Sequence, residues 1–354
     1  MTKAQKAILH QMMQDMKRQS HLYQPTTFWQ YGSKVLIEEL ENSDICHFRS
    51  LSQTRSFFVP GYSAIEYLEN QAKYDGTIGQ FDSIVADKRF SIRLKRLFAG
   101  YTSAVNDYRV LKASNIDKIP YTDRVSESKV GNPIEQHEIE GRAFSRSFLN
   151  YLLGLSFLKQ NVDTLHIHTV MEIGGGFGSL GEILLGDERN NIFYINADIP
   201  PVVFVSSYYL QEVFGQESIA TYKDTRDIEI LDIEKLNEKY KALNICAWQI
   251  PKLKGKIDLF VNYISFQEME PVVVANYCHY IDKLEPKFIL LRNMQEGKRK
   301  KSDDFSVGVD EPILSQDYDT FLPNYKLIAT DSQIYGFVTE DGFHSQLRIY
   351  ERMA

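Results

Sequence analysis

Apolar positions recur at helical spacing through the first part of the chain and in strand-like runs through the second. Over "QPTTFWQYGSKVLIEELEN" Phe28, Tyr31, Val35 and Leu36 share one helical face, and Thr27 and Gln30 stand at capping-box spacing. Residues 61–111 read as short helical patterns broken by glycines. In "EIEGRAFSRSFLNYLLGLSFLKQ" Phe144, Phe148, Leu152, Leu155 and Leu158 form a stripe long enough for a connecting helix. Beyond it, "IHTVMEI" (167–173) reads as a buried strand, a helix is expected over 179–185, and "NIFYINAD" is a second strand. "PPVVFVSSYYLQEVF" follows as a helix with proline near its first turn, and "LNICAWQIP", "KIDLFVNYI" and "PKFILLRNM" read as further strands. This alternation predicts a mostly parallel sheet covered on both faces. "YKLIATDSQIYGF" and "HSQLRIYER" have no long helix between them, so they are expected to close the sheet as an antiparallel pair.

Composition sharpens the class. The 354 residues suffice for two domains, and 43% hydrophobic with 25% charged residues is the balance of a soluble globular protein. No apolar run reaches membrane-span length, and the polar amphipathic start lacks a signal-peptide core, so a cytoplasmic location is expected. Cys46, Cys246 and Cys278 are too few and too scattered for a disulfide framework or a zinc site, and no Asp/His cluster suggests another metal. A net charge of −7 argues against a nucleic-acid partner.

Candidate chemistry centres on "MEIGGGFGSLGEILLG" (171–186), which fits two registers. Gly174, Gly176 and Gly178 spell G-x-G-x-G behind Glu172, a pattern for S-adenosylmethionine (SAM); Gly176, Gly178 and Gly181 spell the dinucleotide G-x-G-x-x-G. The strand reading stops at Ile173, which makes Gly174 the turn, with Gly175 beside it, and favours SAM. Glu172 is then placed to orient the loop and the cofactor's amino-acid end. Asp198, closing the second strand, is placed to accept from both ribose hydroxyls, a role that serves NAD as well. A reversed last strand belongs to a methyltransferase sheet, whereas a dinucleotide domain is parallel throughout.

Four further blocks, "YQPTTFW" (23–29), "VGNP" (130–133), "ADIPP" (197–201) and "NYISFQEME" (262–270), with "WQIP" (248–251), resemble the bacterial sugar O-methyltransferase family. The resemblance covers most of the chain. It implies a seven-stranded, Rossmann-like class I SAM-dependent methyltransferase sheet with an antiparallel last strand. It also implies methyl transfer to a sugar hydroxyl, in surface polysaccharide or glycan biosynthesis. A mostly helical region over 1–150 is expected to cover the acceptor, ahead of a methyltransferase domain over 151–354.

Within that frame Ile199 is expected on one wall for adenine and Trp248 with Gln249 on the other, Trp248 being alternatively a core aromatic. Glu268 is the first acid beyond the fourth strand and the leading candidate for the base that takes the hydroxyl proton; it reads equally as a helix-start carboxylate. Asn262 is expected to fix the loop or touch SAM, Ser265 and Gln267 to orient the acceptor, and Arg292 or Asn293 to reach it. His137 and His344 are rim candidates, while His166 and His168 lie at the far sheet end and read as structural. "EGKRKKSDDF" (296–305) either solvates or covers the acceptor, and "DKRFSIRLKRLF" suits an amphipathic helix packed on the sheet domain. Rival readings are a methyltransferase for a non-sugar hydroxyl or amine, an NAD-dependent nucleotide-sugar oxidoreductase, and a SAM-binding partner subunit without chemistry. The N-terminal helices are candidates for homodimer pairing.

Overall fold

The computed structural model describes residues 1–85, 88–302, 308–339 and 342–353. Its N-terminal part is helical: α1 (Lys3–Met16), α2 (Thr27–Asn42), α3 (Ser52–Phe57), α4 (Gln71–Val85), α5 (Lys88–Phe98) and α6 (Tyr101–Ser114). The capping box expected at Thr27 does not form, because Thr27 is already helical and its hydroxyl donates to Asp310 Oδ2 at 2.7 Å. The face α2 buries is Phe28, Trp29, Gly32, Ser33, Leu36 and Leu40, whereas Tyr31 is 55% exposed. Helix α5 carries the basic and aromatic stretch and packs mainly on α4 and α6, not on the sheet as expected.

The next segment departs from the helical reading. His137–Ile139 and Arg142–Phe144 pair as a hairpin whose turn residues, Glu140 and Gly141, have φ of 51° and 77°. Phe144 therefore lies on a strand, and α7 (Arg146–Asn161) starts after Ser145, whose Oγ accepts from the Phe148 amide. From Phe148 to Lys159 every residue of α7 is buried. Position 150 thus lies inside a helix, so the expected domain boundary cuts through a core element.

The sheet domain comprises β1 (Thr169–Ile173), α8 (Ser179–Leu185), β2 (Phe193–Asp198), α9 (Val202–Phe214), β3 (Ala242–Cys246) and β4 (Leu259–Tyr263). It continues through α10 (Pro271–Lys283), β5 (Phe288–Met294), β6 (Tyr325–Asp331) and β7 (His344–Arg352). The strands lie in the order β6-β7-β5-β4-β1-β2-β3. Strands β1 to β5 pair in parallel, and β7 runs antiparallel to both β5 and β6. Two dipeptide strands, Ile219–Ala220 beside β3 and Phe337–Val338 beside β7, bring the sheet to nine strands among the described residues. Runs that short carry no periodic signal, which is why the sequence suggests seven. The order reverses at β1, so the ends of β1 and β4 open a crevice where loops diverge. Among the described residues no helix is long and apolar enough to cross a membrane.

Candidate active site

A cavity of about 200 Å³ lies at that crevice. The sheet contributes Ile173 to Phe177 after β1, Asp198 and Ile199 after β2, Ala247 after β3, and Tyr263 to Ser265 with Glu268 after β4. The helical part contributes Trp29 from α2, Arg55 to Phe57 from α3, Phe58, and Asn150 and Tyr151 from α7.

The glycine loop is shaped by what lies beneath it. Gly174 has φ +73°, its amide donates to Ala197 O at 2.8 Å, and a Cβ there would collide with Ser265 Oγ and Cβ. Gly176 has φ +58° but open space above it, the nearest atom to a Cβ being Phe58 O at 3.8 Å. Gly178 caps α8 in the left-handed region. Gly181, the last glycine of the dinucleotide register, is also required, since a Cβ there would sit 2.6 Å from the Tyr194 ring. The glycine spacing alone therefore leaves both registers standing; β1 ends at Ile173, which puts Gly174 at the turn.

Glu172 lies beneath this loop and does not line the cavity. Its carboxylate accepts from Tyr151 and Tyr194 hydroxyls at 2.7 and 2.5 Å, a Cβ on Gly175 would be 2.5 Å from it, and burial raises its pKa to about 7. Asp198 does line the cavity. Its Oδ1 accepts from the Ile199 amide at 2.7 Å, and burial, with Glu172 and Glu268 adding repulsion, raises it to about 8.

Glu268 closes a short 3₁₀ turn (Ser265–Glu268), three residues before α10, so it is not the helix-start carboxylate the sequence suggests. Its carboxylate accepts from Trp29 Nε1 at 3.1 Å and from Lys298 Nζ at 2.9 Å. Lys298 belongs to the basic segment 296–305, of which 303–305 lie outside the described residues, and it also stands 4.0 Å from the centroid of the Phe28 ring. That segment therefore reaches the site instead of only solvating.

Several expected residues face elsewhere. Trp248 and Gln249 belong to a 3₁₀ turn after β3; Trp248 packs edge-on against Tyr222, and Gln249 bonds the Cys246 amide and Thr225, leaving Ala247 at the wall. Asn262 points under the loop: its amide donates to Ile173 O and Ser265 Oγ, and its Oδ1 accepts from Asn293 and the Phe266 amide. Gln267 and Asn293 complete this clamp, Gln267 Oε1 accepting from the Met294 amide. Asn262 thus ties the loop, one of its two expected placements, and does not line the cavity. Arg292 is fully buried, held by Asn150 Oδ1 and Tyr335 O. His137 is buried between Tyr62 and Tyr101 against Glu135, and His344 pairs with Glu296, so neither lines the cavity. His166 and His168 are exposed before β1. Of the acceptor candidates only Ser265 is at the wall.

Ile264 has φ +70°, a strained value for a β-branched residue, and it swings Ser265 beneath Gly174. Sequence reading missed this bend, and it missed which residues build the helical wall: Trp29 stands inside the "YQPTTFW" block, but Arg55 and Phe57 sit in no recognisable pattern. The "VGNP" block is a turn, with Gly131 O accepting from the Arg49 amide at 2.8 Å. Among the described residues no group of His, Cys, Asp and Glu is placed to hold a metal.

No family profile and no curated protein sequence matches this chain. Solved structures show partial likeness. Magnesium protoporphyrin IX methyltransferase from Synechocystis PCC 6803, with bound SAM, is 11% identical, TM-score 0.36, over 58% of this chain and 79% of that one. Mitomycin 7-O-methyltransferase is 12% identical, TM-score 0.37, over 58% and 54%. A SAM-dependent methyltransferase from Clostridium acetobutylicum ATCC 824 is 8% identical, TM-score 0.37, over 59% and 92%.

Proposed function

We propose that the chain is a SAM-dependent O-methyltransferase acting on a sugar or glycan hydroxyl, with the helical region over 1–150 serving as acceptor cover. The observation that carries this reading is the convergence of Gly174 to Gly176, Asp198 and Glu268 on one cavity at the strand-order switch. The antiparallel β7 between β5 and β6 supports it against an all-parallel dinucleotide domain.

The residues present suit SAM. Gly176 leaves room for close backbone approach, Ser179 Oγ is buried without a partner at the cavity wall, and Asp198 offers acceptors for two ribose hydroxyls. Bound SAM supplies a methyl group already activated for displacement. The chain's own work is to orient and deprotonate the acceptor. Glu268 is the only carboxylate besides Asp198 among the described wall residues, and no histidine stands there, which supports Glu268 as the group that takes the hydroxyl proton. Trp29, Phe57, Phe58 and Tyr263 offer rings against which the apolar faces of a sugar can rest. The same rings would also accept a planar non-sugar hydroxyl, and an acceptor panel decides between them.

Thermal unfolding with S-adenosylhomocysteine and with NAD tests the cofactor. At about 100 times Kd the former is expected to stabilise by about 2.7 kcal/mol. Stabilisation by NAD alone would overturn the reading.

The raised Asp198 pKa adds a pH test. Below about pH 8 the free protein carries a proton on Asp198, which must leave before the carboxylate can accept from the ribose. S-adenosylhomocysteine affinity is therefore expected to rise up to roughly tenfold per pH unit toward 8 and flatten above it, with Asp198→Asn weak and free of that slope. Calorimetry between pH 6 and 9 checks this, and an unchanged slope in the variant removes Asp198 from the ribose role.

A further inference from the structure

The helical wall of the cavity carries a cation whose hydrogen-bonding capacity is largely unused. Arg55 on α3 is 8% exposed at its side chain, and its Nη2 donates to Glu69 Oε1 at 2.6 Å, a carboxylate that is itself 47% exposed. Arg55 Nε and Nη1 are buried and have no hydrogen-bond partner. Arg55 lines both the main cavity and a smaller adjoining one, which it shares with Arg49, Ser63 and Glu135. Those neighbours do not satisfy it: Glu135 accepts from the Tyr62 and Ser63 amides and from His137, while Arg49 is paired with Glu127 at 2.7 Å. Lys298, a further cation near the site, is engaged by Glu268. Unmade donors on a buried guanidinium are costly, and an oxyanion can satisfy two of them at once with bidentate, charge-assisted bonds.

We propose that Arg55 is a specificity residue that reads an oxyanion on the acceptor, a carboxylate or a phosphate, so that the acceptor is an acidic sugar held with its hydroxyl toward Glu268. This rests on the methyl-transfer reading for the acceptor's presence in the cavity. Charge is arranged to match: the carboxylates Asp198 and Glu268 stand on loops of the sheet, and Arg55, with two donors unmade, stands on the helical cover.

The test is calorimetric titration of the protein saturated with S-adenosylhomocysteine, using glucuronate, glucose 1-phosphate and glucose as probes. At least one anionic sugar is expected to bind about tenfold or more tighter than glucose. Arg55→Met is expected to abolish that preference and Arg55→Lys to weaken it roughly tenfold, since an ammonium keeps the charge without the guanidinium's planar donors. Both variants should bind S-adenosylhomocysteine within about twofold of the parent. Preference for glucuronate assigns a carboxylate, and preference for glucose 1-phosphate assigns a phosphate. If neither anion binds better than glucose, or if Arg55→Met keeps the preference, the proposal is overturned. Failure of the parent to bind S-adenosylhomocysteine overturns methyl transfer instead, and the anion preference is then read on the same protein without it.

Discussion

Gly174→Ala is expected to cost on the order of 3 kcal/mol of stability and to weaken S-adenosylhomocysteine binding more than about 100-fold. The left-handed backbone accounts for about 1–2 kcal/mol in any non-glycine residue. The new Cβ also displaces Ser265, whose Oγ donates to Ile173 O at 3.1 Å and accepts from Asn262 at 2.6 Å, so a buried network breaks along with the turn. Gly176→Ala makes the informative contrast. It carries a similar left-handed φ of +58° but meets nothing closer than 3.8 Å, so its folding penalty should stay near the backbone cost of about 1–2 kcal/mol. Its methyl would nevertheless stand where the cofactor has to approach, and binding should fall by a similar 100-fold or so. Thermal unfolding and calorimetry on the two variants separate a residue that shapes the loop from one that meets the ligand. Undiminished binding by Gly176→Ala would mean that the loop does not face a cofactor.

These two glycines also mark what could be read in advance. Gly174 and Asp198 were legible because each depends on where a strand stops, and that is a local property of apolar runs. The parallel pairing of β1 to β5 and the reversal of β7 followed from the helices between the strands and from the missing helix before the last one. Which side chain faces the cavity was much less legible. Along β4 successive residues alternate, so Asn262 turns beneath the loop while Tyr263 reaches the wall. At the end of β3 a 3₁₀ turn replaces the expected strand and puts Ala247 where Trp248 was anticipated. The terms "end of the fourth strand" or "end of the fifth" select a stretch, and a rotation of one residue exchanges a wall position for a buried clamp. Asn293 and Gln267 fell on the clamp side, and Arg292 points to the opposite face, held by Asn150 and Tyr335. The residues of the helical wall were illegible for another reason: Trp29 and Arg55 share a cavity with Glu268 and the glycine loop only through long-range packing, and nothing in α2 or α3 alone distinguishes a wall residue from a core one.

Glu268→Gln is expected to lower kcat by about 10²–10⁴ with S-adenosylhomocysteine affinity nearly unchanged. The amide keeps the shape of the carboxylate and can still accept from Trp29 Nε1, but it cannot take a proton from the acceptor. Each carboxylate oxygen already accepts one hydrogen bond, from Trp29 or Lys298, which fixes its orientation and leaves a second lone pair on each for the hydroxyl. A purely structural role predicts something different. If Glu268 only clips α2 and segment 296–302 to the sheet, Trp29→Phe should cost at least as much as Glu268→Gln, because it removes a clip that the amide keeps and leaves an aromatic ring in place. If Glu268 is the base, Trp29→Phe should retain most of kcat, whereas Glu268→Gln should not. Turnover by Glu268→Gln at the parent rate would remove it from the chemistry, and the hydroxyl proton would then have to leave to solvent or to a group the acceptor itself brings.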